Sequence, residues 1–294
     1  MNRKPKIDVI RQLRNEVGFG CPVYNCGNPY LEWHHFDPPW HVKNHNNPNG
    51  MIALCTHHHK QADGGAFTND QLREFKVNKV QAEKVKGQFN WLRNDLLAVV
   101  GGNFYHETLR IITINNKDIV WFNRDEQGYL RLNVNMLSVL PEDRAIIEDN
   151  MWTNIGNPKD LNSPPQGKEL RIDYHNGDHV FIKFIVLKTA ELAFKKYNHQ
   201  ALLNEEYIKY PLTVVEVNYK IGGTDIELKP TGTTINTNQI KGNFIYRCGC
   251  GVSINTDILF RQNPSLLPYS PLSRVKACPC GSNVRYKYCH GLFV

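Results

Sequence analysis

The chain has 294 residues, of which 41% are hydrophobic and 21% charged, and this globular composition excludes a largely disordered chain. It contains no apolar run of about 18 residues, the length that spans a bilayer, and its polar N-terminal stretch does not resemble a secretory signal, so we expect a cytoplasmic protein without membrane contact. The net charge of +7 lies at the two ends of the chain. Residues 1–100 and residues 268–294 each carry a net charge of +4, whereas residues 101–267 carry −1. Such basic ends can attract nucleic-acid phosphates or can be ordinary solvated surface.

The first 102 residues are predicted to contain helices around a short strand. Apolar residues at helical spacing predict a helix over 5–16, and the apolar run 51–54 predicts a strand. Thr68, with a glutamine three positions later, is typical of a capping box that opens a helix over 68–86. Another helix is expected over 90–100, ended by two glycines.

After Gly102 the composition changes to that of a β-protein. Nine segments between residues 107 and 248 are rich in Ile, Val, Thr, Tyr and Phe and are separated by turn residues, so we predict strands there. Helical stretches are predicted near 189–198 and 202–208.

Cysteine and histidine are concentrated in short regions, which in a chain without secretory features favours metal binding over disulfides. Cys21 and Cys26 form one close pair, and Cys55 and His58 form a second pair about 28 residues later. Two such pairs can close a tetrahedral Cys₃His site. These four residues are therefore predicted to hold a structural zinc ion.

Further histidines lie beside this zinc set. His34 and His35 follow an apolar run, and adjacent side chains of an extended segment point to opposite faces, so one could hold a metal while the other faces a substrate. His58 and His59 would point about 100° apart on a helix, which would let His59 reach a second ion. The remaining histidines of the region are expected at the surface or behind the site: His41, His45 and His57.

Together these residues resemble the HNH endonuclease family, which has a ββα-metal core. The resemblance covers residues 18–75. It is carried by Cys21-x₄-Cys26, by Trp33-His34-His35-Phe36-Asp37-Pro38, and by Asn49-Gly50-Met51-Ile52-Ala53-Leu54-Cys55-Thr56-His57-His58-His59.

The resemblance implies a role for each matching residue. His35 would be the general base, and His34 and His59 would hold the catalytic ion. The zinc set predicted above looks like the structural site of many members. Gly50 stands at the position of the family's middle asparagine, so Asn49 is expected to orient His35. Asn46 and Asn47 are weaker substitutes.

Phosphodiester hydrolysis accounts for these residue types. A neutral imidazole such as that of His35 can take a proton from the attacking water near pH 7. A divalent ion held by two histidines would act as a Lewis acid and keep open positions for water and phosphate. Imidazole ligands suit Mn²⁺, Ni²⁺ or Zn²⁺, whereas Mg²⁺ prefers oxygen ligands, and the identity of the ion stays open among these four.

The C-terminal region resembles the SEC-C zinc motif, best known at the tail of bacterial preprotein translocase motors. The resemblance implies a second structural zinc ion, held by Cys278, Cys280, Cys289 and His290. The basic residues around it leave docking to a protein or to nucleic acid open. The Cys-Gly-Cys sequence at 248–250 could supply half of a third site, but two small buried residues at a strand end are the favoured interpretation.

We therefore predict an α+β fold: an N-terminal ββα-metal HNH nuclease domain with flanking helices at 1–102, a β-rich domain for recognition or assembly at 103–262, and a SEC-C-like zinc-binding tail at 263–294. The predicted function is a metal-dependent HNH endonuclease that cleaves nucleic acid, DNA first, with bacterial restriction or phage defence as its setting by analogy. The alternative is a non-catalytic, zinc-stabilised adaptor that binds DNA or RNA. About two structural zinc ions and one catalytic divalent ion are expected per chain.

Overall fold

A computed structural model describes residues 3–258 together with residues 260, 275, 284, 285 and 288. Within these residues the chain forms nineteen β-strands and four α-helices. No helix in this part of the chain is long and apolar enough to cross a membrane.

The strands carry most of the regular structure. The first ten are β1 (Leu31–His35), β2 (Met51–Cys55), β3 (Lys86–Gln88), β4 (Leu97–Val100), β5 (Asn103–His106), β6 (Arg110–Ile114), β7 (Lys117–Arg124), β8 (Leu130–Asn135), β9 (Ile146–Glu148) and β10 (Met151–Thr153). The other nine are β11 (Pro158–Asn162), β12 (Glu169–Tyr174), β13 (His179–Leu187), β14 (Leu212–Lys220), β15 (Ile226–Lys229), β16 (Gly232–Ile235), β17 (Asn238–Ile240), β18 (Phe244–Tyr246) and β19 (Val252–Ile254).

The helices are short. They are α1 (Ile7–Glu16), α2 (Thr56–Asp63), α3 (Asn69–Val77) and α4 (Ala190–Tyr197), with 3₁₀ turns at Pro48–Gly50, Ala82–Lys84 and Gln200–Leu203. The capping box predicted for α3 is confirmed, because the Thr68 side chain accepts a hydrogen bond from the Gln71 N–H and the Gln71 side chain accepts one from the Thr68 N–H. Helix α1 and strand β2 also lie where the sequence predicts them.

The described residues divide into two compact units. The N-terminal unit comprises the chain up to Asn90 together with Met151–His175, and the β-rich unit comprises Trp91–Asn150 and the described residues from Asn176 onward. In the N-terminal unit β1 pairs with β2, β3 with β10, and β11 with β12, all antiparallel. Its core joins side chains of α1, β1, β2, α2 and α3, among them Leu13, Leu31, Leu54, Ala62 and Leu72.

The predicted fold class is wrong. Strands β1 and β2 are followed directly by α2, but they do not form a separate N-terminal ββα-metal HNH domain, because residues 151–175 complete the same unit and the described chain is β-rich with several sheets. Two contacts join residues 151–175 to the N-terminal part of this unit. Arg14 of α1 pairs with Asp160 of β11, and Tyr30 forms a parallel bridge with Ser163. A motif within residues 18–75 does not specify partners that lie more than 100 residues away in the chain.

The Arg14–Asp160 pair gives a stability prediction for this unit. Arg14 is 4% exposed, and its guanidinium donates to both Asp160 carboxylate oxygens, at 2.7 and 2.8 Å. Arg14→Met would leave the carboxylate partly buried without its main partner, so we expect a loss of about 3–5 kcal/mol in the free energy of unfolding. Arg11→Met is the matched control: Arg11 lies 3.5 Å from the same carboxylate, its side chain is 52% exposed, and its loss should cost less than about 1 kcal/mol. Urea denaturation measures the free energy of unfolding of both variants. Equal losses in the two variants would contradict the assignment of Arg14 as the main partner of Asp160.

The β-rich unit contains two groups of paired strands. Strands β6, β7, β8 and β9 pair antiparallel in sequence order, and β19 lies parallel to β6. Strands β13 to β17 form an antiparallel series. Strand β14 also pairs in parallel with β4, and the pairing continues through β5 to β18.

The helix predicted over 90–100 is absent, and residues 97–100 form β4 instead. All four residues of β4 are buried between β14 and β5, so the strand is a continuous apolar run that periodicity cannot distinguish from a helix. Helix α3 ends at Val77 rather than at 86, and the stretch predicted to be helical over 202–208 contains only the end of a 3₁₀ turn.

Candidate metal centres

Two clusters of metal-binding side chains meet at helix α2. Strand β2 ends at Cys55, which is also the residue that precedes the first turn of α2. Side chains of consecutive helical residues diverge by about 100°. His58 accordingly joins a cluster of cysteines, and His59 joins a second cluster with His34 and Asp63.

The cysteine cluster comprises Cys21, Cys26, Cys55 and His58, whose ligand atoms all lie within 4.8 Å of one another. His58 Nδ1 lies 3.3 Å from Cys21 Sγ and 3.2 Å from Cys55 Sγ, and the sulfur atoms of Cys26 and Cys55 are 3.8 Å apart. All four residues that the sequence predicts for this site are thus brought together.

The loop that carries two of these cysteines folds back on itself. The Cys26 N–H donates to Val23 O at 2.9 Å, and the Gly27 N–H donates to Cys21 O at 3.1 Å. Gly27 has a φ of +62°, in the left-handed region that favours glycine. This tight turn keeps both sulfur atoms on one side of the loop despite the four residues between them.

The cluster fits a tetrahedral zinc ion. With Zn–S bonds of about 2.3 Å and Zn–N bonds of about 2.0 Å, tetrahedral ligands lie about 3.8 Å apart for two sulfurs and about 3.5 Å apart for sulfur and nitrogen. The observed separations are 3.8 Å for Cys26–Cys55 and 3.2–3.3 Å for the two contacts of His58. The hydrogen bond between Cys21 and Cys26 lowers the pKa of Cys26 and raises that of Cys21, and burial raises the pKa of Cys55. Of the three cysteines, Cys26 is therefore the one whose surroundings favour the thiolate form that ligates zinc.

The second cluster comprises His34, His59 and Asp63, whose ligand atoms also lie within 4.8 Å of one another. The two oxygens of Asp63 divide between the imidazoles: Oδ1 lies 3.1 Å from His34 Nδ1, and Oδ2 lies 3.3 Å from His59 Nδ1. Two imidazoles and one carboxylate on one side, with the opposite side open, match the donor sets of catalytic Zn²⁺ and of other first-row metals.

The second cluster is exposed to solvent on the side of Asp63 and buried on the side of the two histidines. The side chains of His34 and His59 are 9% and 15% exposed, whereas that of Asp63 is 51% exposed. Burial, followed by the nearby His59, lowers the pKa of His34, so its imidazole is neutral at pH 7 and free to ligate a metal. The cluster can therefore hold an ion that solvent and a substrate reach.

His35 lies beside this cluster at the end of β1. It is 5% exposed, and burial lowers its pKa, so it is neutral at pH 7. Its Nε2 lies 3.5 Å from Asn46 Oδ1, and within the described residues its buried Nδ1 has no hydrogen-bond partner. His34, His35 and Asp63 line one cavity of about 400 Å³.

The asparagine whose side chain contacts His35 is Asn46. Asn49, which the sequence places in the orienting role, is exposed in the 3₁₀ turn, where its N–H donates to Asn47 Oδ1 at 3.1 Å. His45 holds the loop that carries Asn46: its Nδ1 accepts a hydrogen bond from the Asn47 N–H, and its Nε2 lies 2.8 Å from Pro38 O.

Asp63 is the site residue that sequence reasoning missed. The predicted ligands were cysteines and histidines, and no carboxylate was among them. The signal was present, since positions 59 and 63 are four apart and lie on the same face of a helix. His41 and His57 are exposed, and neither belongs to a metal-binding cluster of the described residues.

The comparisons with known proteins bear on the tail. Residues 276–292 match the SEC-C motif. No curated protein and no solved structure gave a significant match to the chain, and no match to an HNH domain was found. The SEC-C resemblance of the tail is thus confirmed, and the HNH resemblance remains one of motif alone.

The predicted ligands of the tail, Cys278, Cys280, Cys289 and His290, lie outside the described residues. The Cys-Gly-Cys sequence at 248–250 lies between β18 and β19. Cys248 is exposed and Cys250 half-buried, rather than both buried, and neither belongs to a metal-binding cluster within the part of the chain that the structure describes.

Proposed function

We propose that the chain is a metal-dependent endonuclease that hydrolyses phosphodiester bonds of DNA. The observation that carries the proposal is the cavity in which His35 lies beside the ligand cluster of His34, His59 and Asp63. The imidazole of His35 is neutral, and its Nδ1 has no hydrogen-bond partner among the residues that the structure describes. The alternative, a non-catalytic nucleic-acid adaptor, needs the zinc cluster but gives no role to these four residues.

In the proposed mechanism each residue has one task. The amide oxygen of Asn46 accepts a hydrogen bond from His35 Nε2–H, which leaves Nδ1 to take the proton of the attacking water. His34, His59 and Asp63 would hold a divalent cation, and that ion would supply Lewis acidity toward the phosphate and the leaving oxygen. Arg3 lines the same cavity and brings a positive charge to which a phosphate is attracted.

The two zinc sets have a structural role in the proposal. Cys21, Cys26, Cys55 and His58 fix the start of α2 and thereby the direction of His59. The SEC-C tail would hold its zinc with the four ligands named above, and its basic residues would contact nucleic acid or a protein partner.

A cleavage assay tests the proposed function. The purified chain is incubated with supercoiled plasmid, single-stranded DNA or RNA, each with Mg²⁺, Mn²⁺, Ni²⁺, Zn²⁺ or EDTA. We expect plasmid cleavage with at least one of the metals and none with EDTA. Binding of DNA without cleavage under every metal would favour the adaptor.

The role of Asp63 can be tested by metal binding alone. Asp63→Asn removes the charge of a ligand and keeps its shape, so we expect Mn²⁺ affinity to fall at least about 10-fold in calorimetry, while the tightly held zinc is retained. Glu32→Gln is the matched control, because Glu32 lies 3.7 Å from His59 Nδ1 but is not a member of the cluster. Equal Mn²⁺ affinity in the two variants would remove Asp63 from the proposed site.

A further inference from the structure

The β-rich unit contains a cavity of about 750 Å³ that takes no part in the proposed cleavage. It lies between one face of the strands around β14, the end of α4 and the two loops at 230–231 and 241–242. Cavities of about 300–1,000 Å³ with apolar walls and a few polar groups are typical of small-molecule sites.

The floor of this cavity follows from the strand register. Opposite residues of paired strands lie on the same face of a sheet. Glu216 of β14 is opposite Val99 of β4, Val99 is opposite Phe104 of β5, and Phe104 is opposite Phe244 of β18. One carboxylate therefore lies in a row of apolar and aromatic side chains.

Aromatic rings line the side of the cavity next to Phe104. The ring centroids of Phe104 and Tyr197 are 5.6 Å apart, and those of Phe104 and His199 are 4.6 Å apart. His199 uses both ring nitrogens within the protein: Nδ1 accepts a hydrogen bond from the Ala201 N–H, and Nε2 donates to Gly242 O at 2.9 Å. His199 therefore offers its ring rather than its nitrogens to a ligand.

Two contacts hold the Glu216 carboxylate in place through one of its oxygens. Its Oε1 accepts the Tyr197 hydroxyl at 2.8 Å and lies 3.0 Å from Lys196 Nζ. Burial raises the pKa of Tyr197, so the hydroxyl remains a donor. Neither contact uses Oε2, and the Glu216 side chain is 18% exposed, so this oxygen can accept an N–H group of a ligand.

The charge of the lining favours an anionic ligand. Lys196 and Lys241 bring two positive charges and Glu216 brings one negative charge. Lys241 is exposed on the loop at the rim, where it can reach the part of a ligand that extends to solvent. Asn198, Asn218 and Thr231 add amide and hydroxyl groups to the lining.

We propose that this cavity binds a nucleotide. A flat heteroaromatic base packs against the rings of Phe104, Tyr197 and His199 and donates an N–H to Glu216. The phosphates extend toward Lys241 at the rim. The proposal does not depend on the metal centres, since all of these residues belong to the β-rich unit.

Calorimetry on the full chain tests it with ATP, GTP, CTP and UTP, and with the four corresponding nucleosides and tripolyphosphate as partial ligands. At least one nucleotide should bind with a Kd below about 100 μM and more tightly than its nucleoside or tripolyphosphate. Lys241→Ala and Glu216→Gln should each weaken that binding about 10-fold, as expected for a hydrogen bond to a charged group. Lys195→Ala is the matched control, because Lys195 is exposed beside Lys196 on α4 but does not line the cavity.

Each of the following results would overturn the proposal: no binding of any nucleotide at millimolar concentration, tripolyphosphate binding as tight as that of the best nucleotide, or unchanged affinity in Lys241→Ala or in a folded Glu216→Gln chain. Because Lys241 is exposed, its variant decides the question even if Glu216→Gln alters folding. The Asp63→Asn variant must retain nucleotide binding. If that variant lost it, the nucleotide would bind at the metal centre and not in this cavity.

Discussion

Substituting His58 with alanine is expected to remove one zinc ion per chain and to unfold the region around the start of α2. His58 Nδ1 lies within 3.3 Å of two of the three sulfur atoms, so its loss opens the site and leaves thiolates close together. Structural zinc contributes on the order of 10 kcal/mol to the folding of small zinc modules. The effect should therefore exceed that of the Arg14 substitution, and any nuclease activity should fall with it.

The neighbouring His57 provides the control for this experiment. It lies on the same helix and is exposed, and it does not belong to the cluster. His57→Ala should keep the zinc content and the melting temperature of the parent chain. Metal analysis with thermal unfolding measures both variants, and a His58→Ala chain that retains its zinc would show that the cluster does not hold the ion.

Zinc stoichiometry extends the test to the tail. Two Cys₃His sets predict about two tightly bound zinc ions per chain. His58→Ala and Cys289→Ser should each reduce the value to about one, and a combined variant should bind about none. If the parent chain binds only about one zinc ion, one of the two Cys₃His sets does not hold zinc.

The clustering of most candidate metal ligands was predictable from the sequence because their spacing is local. Cys55, His58 and His59 share the beginning of one helix, and the turn at Cys21–Cys26 is defined within a few residues. Asn46 was less accessible to prediction, since its approach to His35 depends on a loop held by hydrogen bonds of His45. No local pattern encodes that arrangement.

The fold was predictable only where local signals decide it. The capping box of α3 and the apolar periodicity of α1 are examples, because each acts within one or two helical turns. Strand β4 was mistaken for a helix because all four of its residues are apolar and buried, and because its sheet partner β14 lies more than 100 residues away. The partnership of α1 with β11 likewise depends on a distant segment.

Substituting His35 with alanine should reduce cleavage by about 10²–10⁴-fold, the usual contribution of a general base, while leaving zinc content and melting temperature close to those of the parent chain. His35 belongs to neither metal-binding cluster of the described residues, so no metal ligand is lost. Binding of uncleaved DNA should also persist, because the attraction of phosphate to basic residues does not depend on a neutral imidazole.

The discriminating result is the contrast among three neighbouring histidines. His35→Ala should lose cleavage alone, and His59→Ala should lose cleavage together with Mn²⁺ binding but keep the structural zinc. His58→Ala should lose zinc, local folding and cleavage together. An adaptor without catalysis predicts no such separation, because it has no cleavage to lose. If His35→Ala cleaves DNA at the parent rate, the proton is taken by another group, and the cavity beside Asp63 is not the catalytic site.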